Sequence, residues 1–429
     1  MRIPDLNKQA SPAFLLVLSL IFATFSAFTV WLSVSKTGHG LIPLGDSVCY
    51  LDWAQEMLSS GILESFLFHK IVDWPPLYPL SIAITAKFFG CGVLAATGYL
   101  SMLLAFCISG IAFWVFRKAF GSLFFSIFFG IFFSTNPFLH KAFCSVLSEQ
   151  LFCLIIIFMF LFADDSCSNK NLKIMSFFTT LAILTRYSGV AILPAVCLWI
   201  LTQPAFEMRV KIKKCFLYAI FPTVFFGLYL AKNFLVVGSF MGRRVPSSTS
   251  FYENFLAFIS VCRFFFLPIT QYQMFKDHGM LLLVIIAVLL AFFVLYYKKM
   301  RSFFKALWEK NSVFRYSLCL IVAYSLFMVF SSTTTEYQFL GVTRFAVPIF
   351  FPMAIVYFVF LQWTGQVFYE KKQDKIVASI ILCCCLSILV LSITVLKSQL
   401  SNDFGIKPYF SSEAELVEHL NKIKPLQSR

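Results

Sequence analysis

The 429-residue sequence predicts an all-α fold, a multi-pass transmembrane helical bundle of about eleven spans with a helical first outer loop. Three observations predict it. The chain is 59% hydrophobic and only 13% charged, with a mean hydropathy of +0.83, whereas soluble domains carry about 25% charge. Uncharged apolar runs recur along it, and the first, Ala13–Val34, rises about 33 Å as a helix, enough to cross the hydrocarbon core. The bases fall in short loops between these runs: 19 of the 35 lysines and arginines lie in the proposed cytoplasmic segments, the bias that positive-inside orientation requires. The net charge of +15 therefore reads as topology signal and affinity for anionic headgroups, not as a nucleic-acid surface.

Taken in order, Arg2 and Lys8 precede the first span and place the N-terminus in the cytoplasm, with no cleavage site for a signal peptide. Residues 36–76 form an outer acidic loop, and Pro76–Phe89, about 14 residues with Pro79 inside, is too short to span and reads as a juxtamembrane helix. Were it a span, every later loop would invert and the basic stretch Lys298–Arg315 would lie outside. Val93–Phe116, Phe120–Ser134 and Glu149–Ala163 follow as spans. Ile174–Thr185 and Val190–Leu201 form a hairpin tipped by Arg186-Tyr187-Ser188-Gly189. Phe216–Ala231 rises to a long outer segment containing an interfacial piece, Phe255–Pro268. Met280–Tyr297, Leu318–Phe330, Phe345–Gln362 and Ile376–Leu396 complete the set. The expected organisation is one transmembrane domain over residues 1–396 and a short polar tail over 397–429. The expected home is a cell membrane, bacterial inner membrane by type, with the active site outside.

Chemistry concentrates in Gly45–Pro79, which holds Asp46, Asp52, Glu56, Glu64 and Asp73, a quarter of the 20 acids in the chain. Asp46 lies in a polar turn at the membrane edge, where a carboxylate is placed to act as general base on a hydroxyl; the plainer role is capping the helix that follows. Asp52 and Glu56, spaced i and i+4, read as a solvated stripe. Asp73 suits a second active-site acid or a turn. Glu149 opens a span on the same face, where the helix dipole favours an acid. Arg186, at the tip of an apolar hairpin, has a cost unless an anion offsets it, and a lipid headgroup would do so. On charge and position, Arg186, Lys232, Arg243 and Arg344 are the candidates for phosphate contacts, with Asp73, Tyr78, Glu149 and Tyr187 lining the site. His39, His69 and His140 fall on the outer face without HExxH spacing, and the 13 cysteines lack paired CxxC motifs. The sequence thus names no cofactor; it leaves room for a divalent metal held by acids and His69 from separate segments.

Asp46, Tyr50, Ala54, Gly61 and the run Trp74-Pro75-Pro76-Leu77-Tyr78-Pro79 resemble the first outer loop of the C-superfamily glycosyltransferases. These are integral membrane enzymes that use polyprenyl-phosphate sugars, with mannosyltransferase-like and aminoarabinose-transferase-like members. Glu149, Thr185-Arg186-Tyr187-Ser188-Gly189, Lys232-Asn233-Phe234 with Gly238 and Gly242-Arg243, and Arg344-Phe345 with Pro348 extend the resemblance in the same order. It implies transfer of a hexosyl or pentosyl group from a polyprenyl-phosphate donor to a hydroxyl of a glycan, lipid or protein. By that resemblance Asp46 is the base or acceptor-binding carboxylate, and Glu149 a second acid near it. Two other classes compete. A lipid or sugar transporter or flippase would place its ionisable residues in mid-span, whereas here the acids gather in one loop. A non-catalytic membrane subunit is separated only by an activity test.

Overall fold

The computed structural model describes residues 10–37, 41, 45–70, 72–242, 245–263, 301–335 and 343–369, together with 393, 394, 396, 397, 415 and 418. Among these residues the chain is helical, and an isolated β-bridge joins Pro246 and Thr335. The helices are α1 (Pro12–Thr37), α2 (Gly45–Ser59), α3 (Ile62–Phe68), α4 (Leu77–Phe89), α5 (Val93–Phe120), α6 (Leu123–Ser134), α7 (Pro137–Phe143), α8 (Glu149–Phe162), α9 (Asn169–Thr185), α10 (Ile192–Leu201), α11 (Met208–Val237), α12 (Phe251–Arg263), α13 (Ser312–Thr334) and α14 (Val347–Tyr369). Short 3-10 turns, Tyr187–Ala191 and Thr343–Ala346, precede α10 and α14.

Four of the described helices, α1, α5, α11 and α13, are long and apolar enough to cross a membrane, and α6 with α7 adds a fifth candidate bent by 54°. The protein is an integral membrane protein. The bend sits at Asn136-Pro137, where Asn136 Oδ1 accepts the amides of Phe138 and Leu139 and Pro137 starts the new helix. The expected spans at Glu149–Ala163, Ile174–Thr185 and Val190–Leu201 form shorter helices of 14, 17 and 10 residues. The expected surface helix is α4, of 13 residues, ended by Gly90. The spans expected at Met280–Tyr297 and Ile376–Leu396 lie outside the described residues, Leu396 and three neighbours excepted.

Packing follows from the side chains. Lipid supplies little hydrophobic drive between helices, so small and polar residues bring them together. Ser26 and Ser109 share a hydrogen bond of 2.6 Å, and Ser19 donates to the Gly110 carbonyl at 3.0 Å, seating α1 along α5. The many phenylalanines fill the space between α5, α6 and α14, where Phe129 meets Phe358 edge-on at 4.9 Å and Phe133 stacks on Phe350 at 5.7 Å. Tyr218 of α11 joins two neighbours at once: its hydroxyl lies 2.7 Å from Thr179 of α9 and donates to the Ile192 carbonyl of α10. Between α9 and α10 the chain reverses at Gly189, where a Cβ would overlap the Ala182–Ile183 backbone. The hairpin expected from sequence is present, and its tip needs glycine.

Candidate active site

Four segments meet at one end of α8. The first turn of α2 brings Asp46, Ser47 and Tyr50. The start of α8 brings Ser148 and Glu149, the end of α9 brings Arg186, and the turn before α14 brings Arg344. Two side-chain bonds fix α2 to the chain entering α8: Ser47 donates to the Val146 carbonyl at 2.7 Å, and the Tyr50 hydroxyl lies 3.0 Å from Ser148 Oγ. Ser148 stands at the N-cap of α8, but its hydroxyl makes no cap bond. It serves Tyr50 and accepts from Arg186 Nη1 at 3.0 Å. Gln150 ties the preceding turn, donating through Nε2 to the carbonyls of Ala142, Phe143 and Ser145.

The charges form a chain of two acids and two arginines. Arg186 Nη1 lies 2.7 Å from Glu149 Oε1. Arg344 Nη1 lies 2.7 Å from Asp46 Oδ2, and its Nε reaches within 4.0 Å of Glu149 Oε1. The Glu149 side chain is 0% exposed, whereas those of Asp46 and Arg344 are 29% and 26% exposed. A buried carboxylate is held by the cations around it, and Glu149 Oε2 itself has no hydrogen-bond partner. The Arg344 guanidinium also lies 4.9 Å from the Phe345 ring. Burial works against the Arg186 charge, but Glu149, then Tyr50, Tyr324 and Asp46, hold its pKa above the ordinary arginine value. On the flank of Asp46, burial and then the fields of Asp46, Asp73 and Asp52 push the Cys49 thiol up to about 12. The arrangement provides one accessible carboxylate beside two cations at the edge of an apolar bundle, the equipment for moving a proton next to an anion.

Asp46, Glu149, Arg186 and Arg344, singled out from the sequence, come together here. Tyr78 is buried behind the site, edge-on to Tyr50 at 5.1 Å. Tyr187 donates to the Val72 carbonyl at 2.6 Å and accepts from Asn233 Nδ2 at 3.2 Å, and the same Asn233 group donates to the Phe240 carbonyl. Tyr187 and Asn233 therefore link the hairpin tip, the end of the acidic loop and the segment after α11. That segment presses on Asp73 at Gly242, whose φ of +78° no ordinary side chain favours and whose Cβ would overlap the Asp73 carboxylate. Lys232 is engaged elsewhere: it donates to the Phe66 carbonyl at 3.2 Å and lies over the Phe66 and Tyr229 rings. Arg243 and His39 lie outside the described residues.

Several expectations change. Asp52 and Glu56 are not a solvated stripe. Asp52 is buried, and Glu56 accepts from Ser65 and binds His69 Nδ1 at 2.7 Å. His69 stacks on Trp53 at 4.2 Å, and His140 is buried apart from it between Ser33 and Thr29. The partner that Arg186 needs is Glu149 of the protein itself. Among the described residues no three His, Cys, Asp or Glu side chains gather as metal ligands. The acids of the site are engaged by arginines. Ser148 was missed, because a lone serine ahead of a helix reads as an ordinary cap.

No protein-family profile matches the chain, and no curated protein matches it by sequence. Solved structures do match. ArnT from Cupriavidus metallidurans bound to undecaprenyl phosphate superimposes over 89% of this chain and 72% of its own, with a TM-score of 0.53 and 15% identity. The apo form of that protein gives 81%, 60%, 0.52 and 14% for the same quantities. The archaeal oligosaccharyltransferase AglB from Archaeoglobus fulgidus, in complex with an inhibitory peptide and a dolichol-phosphate, covers 90% of this chain at a TM-score of 0.51 and 9% identity. The chain spans 60% of the apo ArnT chain and 56% of the AglB chain. At such identities the likeness is one of architecture: the chain has the fold of ArnT and of AglB over most of its length.

Proposed function

We propose that the protein is a glycosyltransferase that moves a sugar from a polyprenyl-phosphate donor to a hydroxyl acceptor on the outer face of the membrane. The observation that carries this is the accessible Asp46 carboxylate, 2.7 Å from Arg344 and next to the buried Glu149–Arg186 pair. In this reading residues 1–396 form one catalytic membrane domain, the N-terminus is cytoplasmic, and the Asp46 end of α8 faces outward. The fold shared with proteins solved with undecaprenyl phosphate and dolichol-phosphate supports the class of donor.

The reaction follows from the charges. The acceptor hydroxyl gives its proton to Asp46 as its oxygen bonds to the anomeric carbon. The bond from that carbon to the phosphate oxygen breaks, and its electron pair stays on the oxygen. A phosphodiester with one negative charge becomes a phosphate monoester with two, while Asp46 loses one, so the net charge of site and ligands is unchanged. Arg186 and Arg344 stand where the second charge develops, and fixed cations in a site of low dielectric stabilise such a charge without reorganising. Glu149 holds the two arginines together, and Tyr50 and Ser148 hold Arg186. One displacement inverts the anomeric carbon. Asp73 and Tyr187 would shape the walls around the donor and acceptor.

The test is transfer from a supplied polyprenyl-phosphate sugar in reconstituted membranes. Asp46→Asn keeps the shape and removes the base, so transfer should fall about a hundredfold or more, with binding of polyprenyl phosphate retained. Unimpaired transfer by this variant would remove Asp46 from the chemistry. A wild-type protein that neither binds the lipid phosphate nor transfers sugar would favour the transporter or subunit readings.

A further inference from the structure

We infer that Arg344 is a latch on Asp46, opened by the donor phosphate, so that donor must bind before an acceptor can be deprotonated. The inference rests on the glycosyltransferase reading and adds an order of events to it. Asp46 is the accessible acid of the pair, yet Arg344 Nη1 sits 2.7 Å from its Oδ2. A guanidinium seated on a carboxylate competes with an acceptor hydroxyl for that carboxylate. For Asp46 to take a proton, the pair must loosen, and something must draw the cation away.

The geometry distinguishes a fixed arginine from a movable one. Arg186 is bonded to Ser148 and paired with the fully buried Glu149, and only 16% of its side chain is exposed. Arg344 touches Glu149 only at 4.0 Å, through an Nε that makes no hydrogen bond, and its side chain is more open. Among the described residues neither oxygen of Glu149 accepts a hydrogen bond, and Oε2 is free of ion-pair contacts as well. Arg344 thus has another carboxylate to lean on if it leaves Asp46, and the Phe345 ring lies beneath it at 4.9 Å. The four charges of Asp46, Glu149, Arg186 and Arg344 sum to zero, so the cluster without ligand has no surplus positive charge to offer an anion. A phosphodiester arriving there must compete with Asp46 for Arg344, the pair more open to solvent. Its arrival releases the carboxylate at the moment an electrophile is in place, which guards the donor against premature attack.

The test is a double-mutant cycle on binding of undecaprenyl phosphate to the full-length protein in nanodiscs. If Asp46 and the phosphate compete for Arg344, Asp46→Asn should tighten binding about threefold to fivefold, the scale of a partly exposed ion pair. In an Arg344→Gln background the same substitution should change binding by less than about 1.5-fold, because the shared cation is gone. Arg344→Lys keeps the charge and should restore part of the tightening. Equal tightening in both backgrounds would mean that Asp46 acts through simple repulsion, and the latch would be wrong although the lipid still binds. Weaker binding by Asp46→Asn would also overturn it. Absence of saturable binding by the wild-type protein would overturn the functional reading itself, and the latch with it.

Discussion

The two ends of α8, 14 residues and so about 21 Å apart, both carry arginines paired with acids, but the arginines are used differently. At the far end Arg315 is 0% exposed and bonds to Asp165, to Gln203 Oε1 at 2.7 Å and to the Trp308 carbonyl. Lys118 donates to the carbonyls of Phe160, Leu161 and Ala163, closing the C-terminus of α8, and Lys214 donates to the Cys167 carbonyl. These cations end largely on backbone carbonyls, where they satisfy groups that a helix end leaves open. At the Asp46 end the cations end on carboxylates and a hydroxyl, and neither oxygen of Glu149 accepts a hydrogen bond. One end is a fastening. The other is a set of charges held ready for a ligand.

The largest effect should come from breaking the fastening. Arg315→Ala removes a buried cation that joins α13 to the ends of α8 and α10 and leaves the Gln203 oxygen and the Trp308 carbonyl without that donor. The cost should be about 3 kcal/mol, read as a lowered Tm and loss of monodisperse protein in detergent. Asp46→Asn, by contrast, should leave Tm within about 2 °C, since surface pairs contribute little to stability. If the two variants had equal effects on Tm, the contrast between the ends would be false.

The contrast also shows what the sequence could and could not convey. Element positions were legible because each depends on local chemistry: α8 begins at Glu149 as expected, and α4 is short as expected. The joining of Asp46 to Arg344 and Glu149 to Arg186 depends on segments about 300 and 40 residues apart, and no local pattern announces such contacts. An acid at a helix start looks alike whether it is solvated or wholly buried. Asp52 and Glu56 were misread for the same reason, since the partners that turn Glu56 inward, Ser65 and His69, belong to α3 and its end. The spacing of two acids cannot say which face of a helix a later element will cover.

A smaller effect is expected where the ready end is shaped by backbone. Gly242→Ala would hold a residue at positive φ, costing about 1 kcal/mol, and drive a methyl group into the Asp73 carboxylate. The segment after α11 must shift, while the fastening at the Arg315 end is untouched. Transfer should fall about tenfold with Tm changed by no more than about 3 °C. A large loss of stability with transfer per folded molecule preserved would show that this segment belongs to the frame and not to the site.

The finest probe of the contrast is a thiol. Cys49 sits three residues from Asp46, and burial with the fields of Asp46, Asp73 and Asp52 pushes it up to about 12. The sign is plain: acids nearby and low solvation both disfavour thiolate, and thiolate is the reactive form. At pH 8 its thiolate fraction should be about one two-thousandth of that of a free cysteine with an ordinary pKa of about 8.5. Maleimide modification of the Cys49 peptide, followed by mass mapping, should therefore be slow at pH 8 and rise about tenfold per pH unit up to pH 11. Removing one charge with Asp46→Asn should speed it only modestly, because burial is the larger cause. Modification at the rate of a free thiol would mean that this face of α2 is neither buried nor faced by the three acids, and the Asp46 end would then lack the electrostatic character that separates it from the Arg315 end.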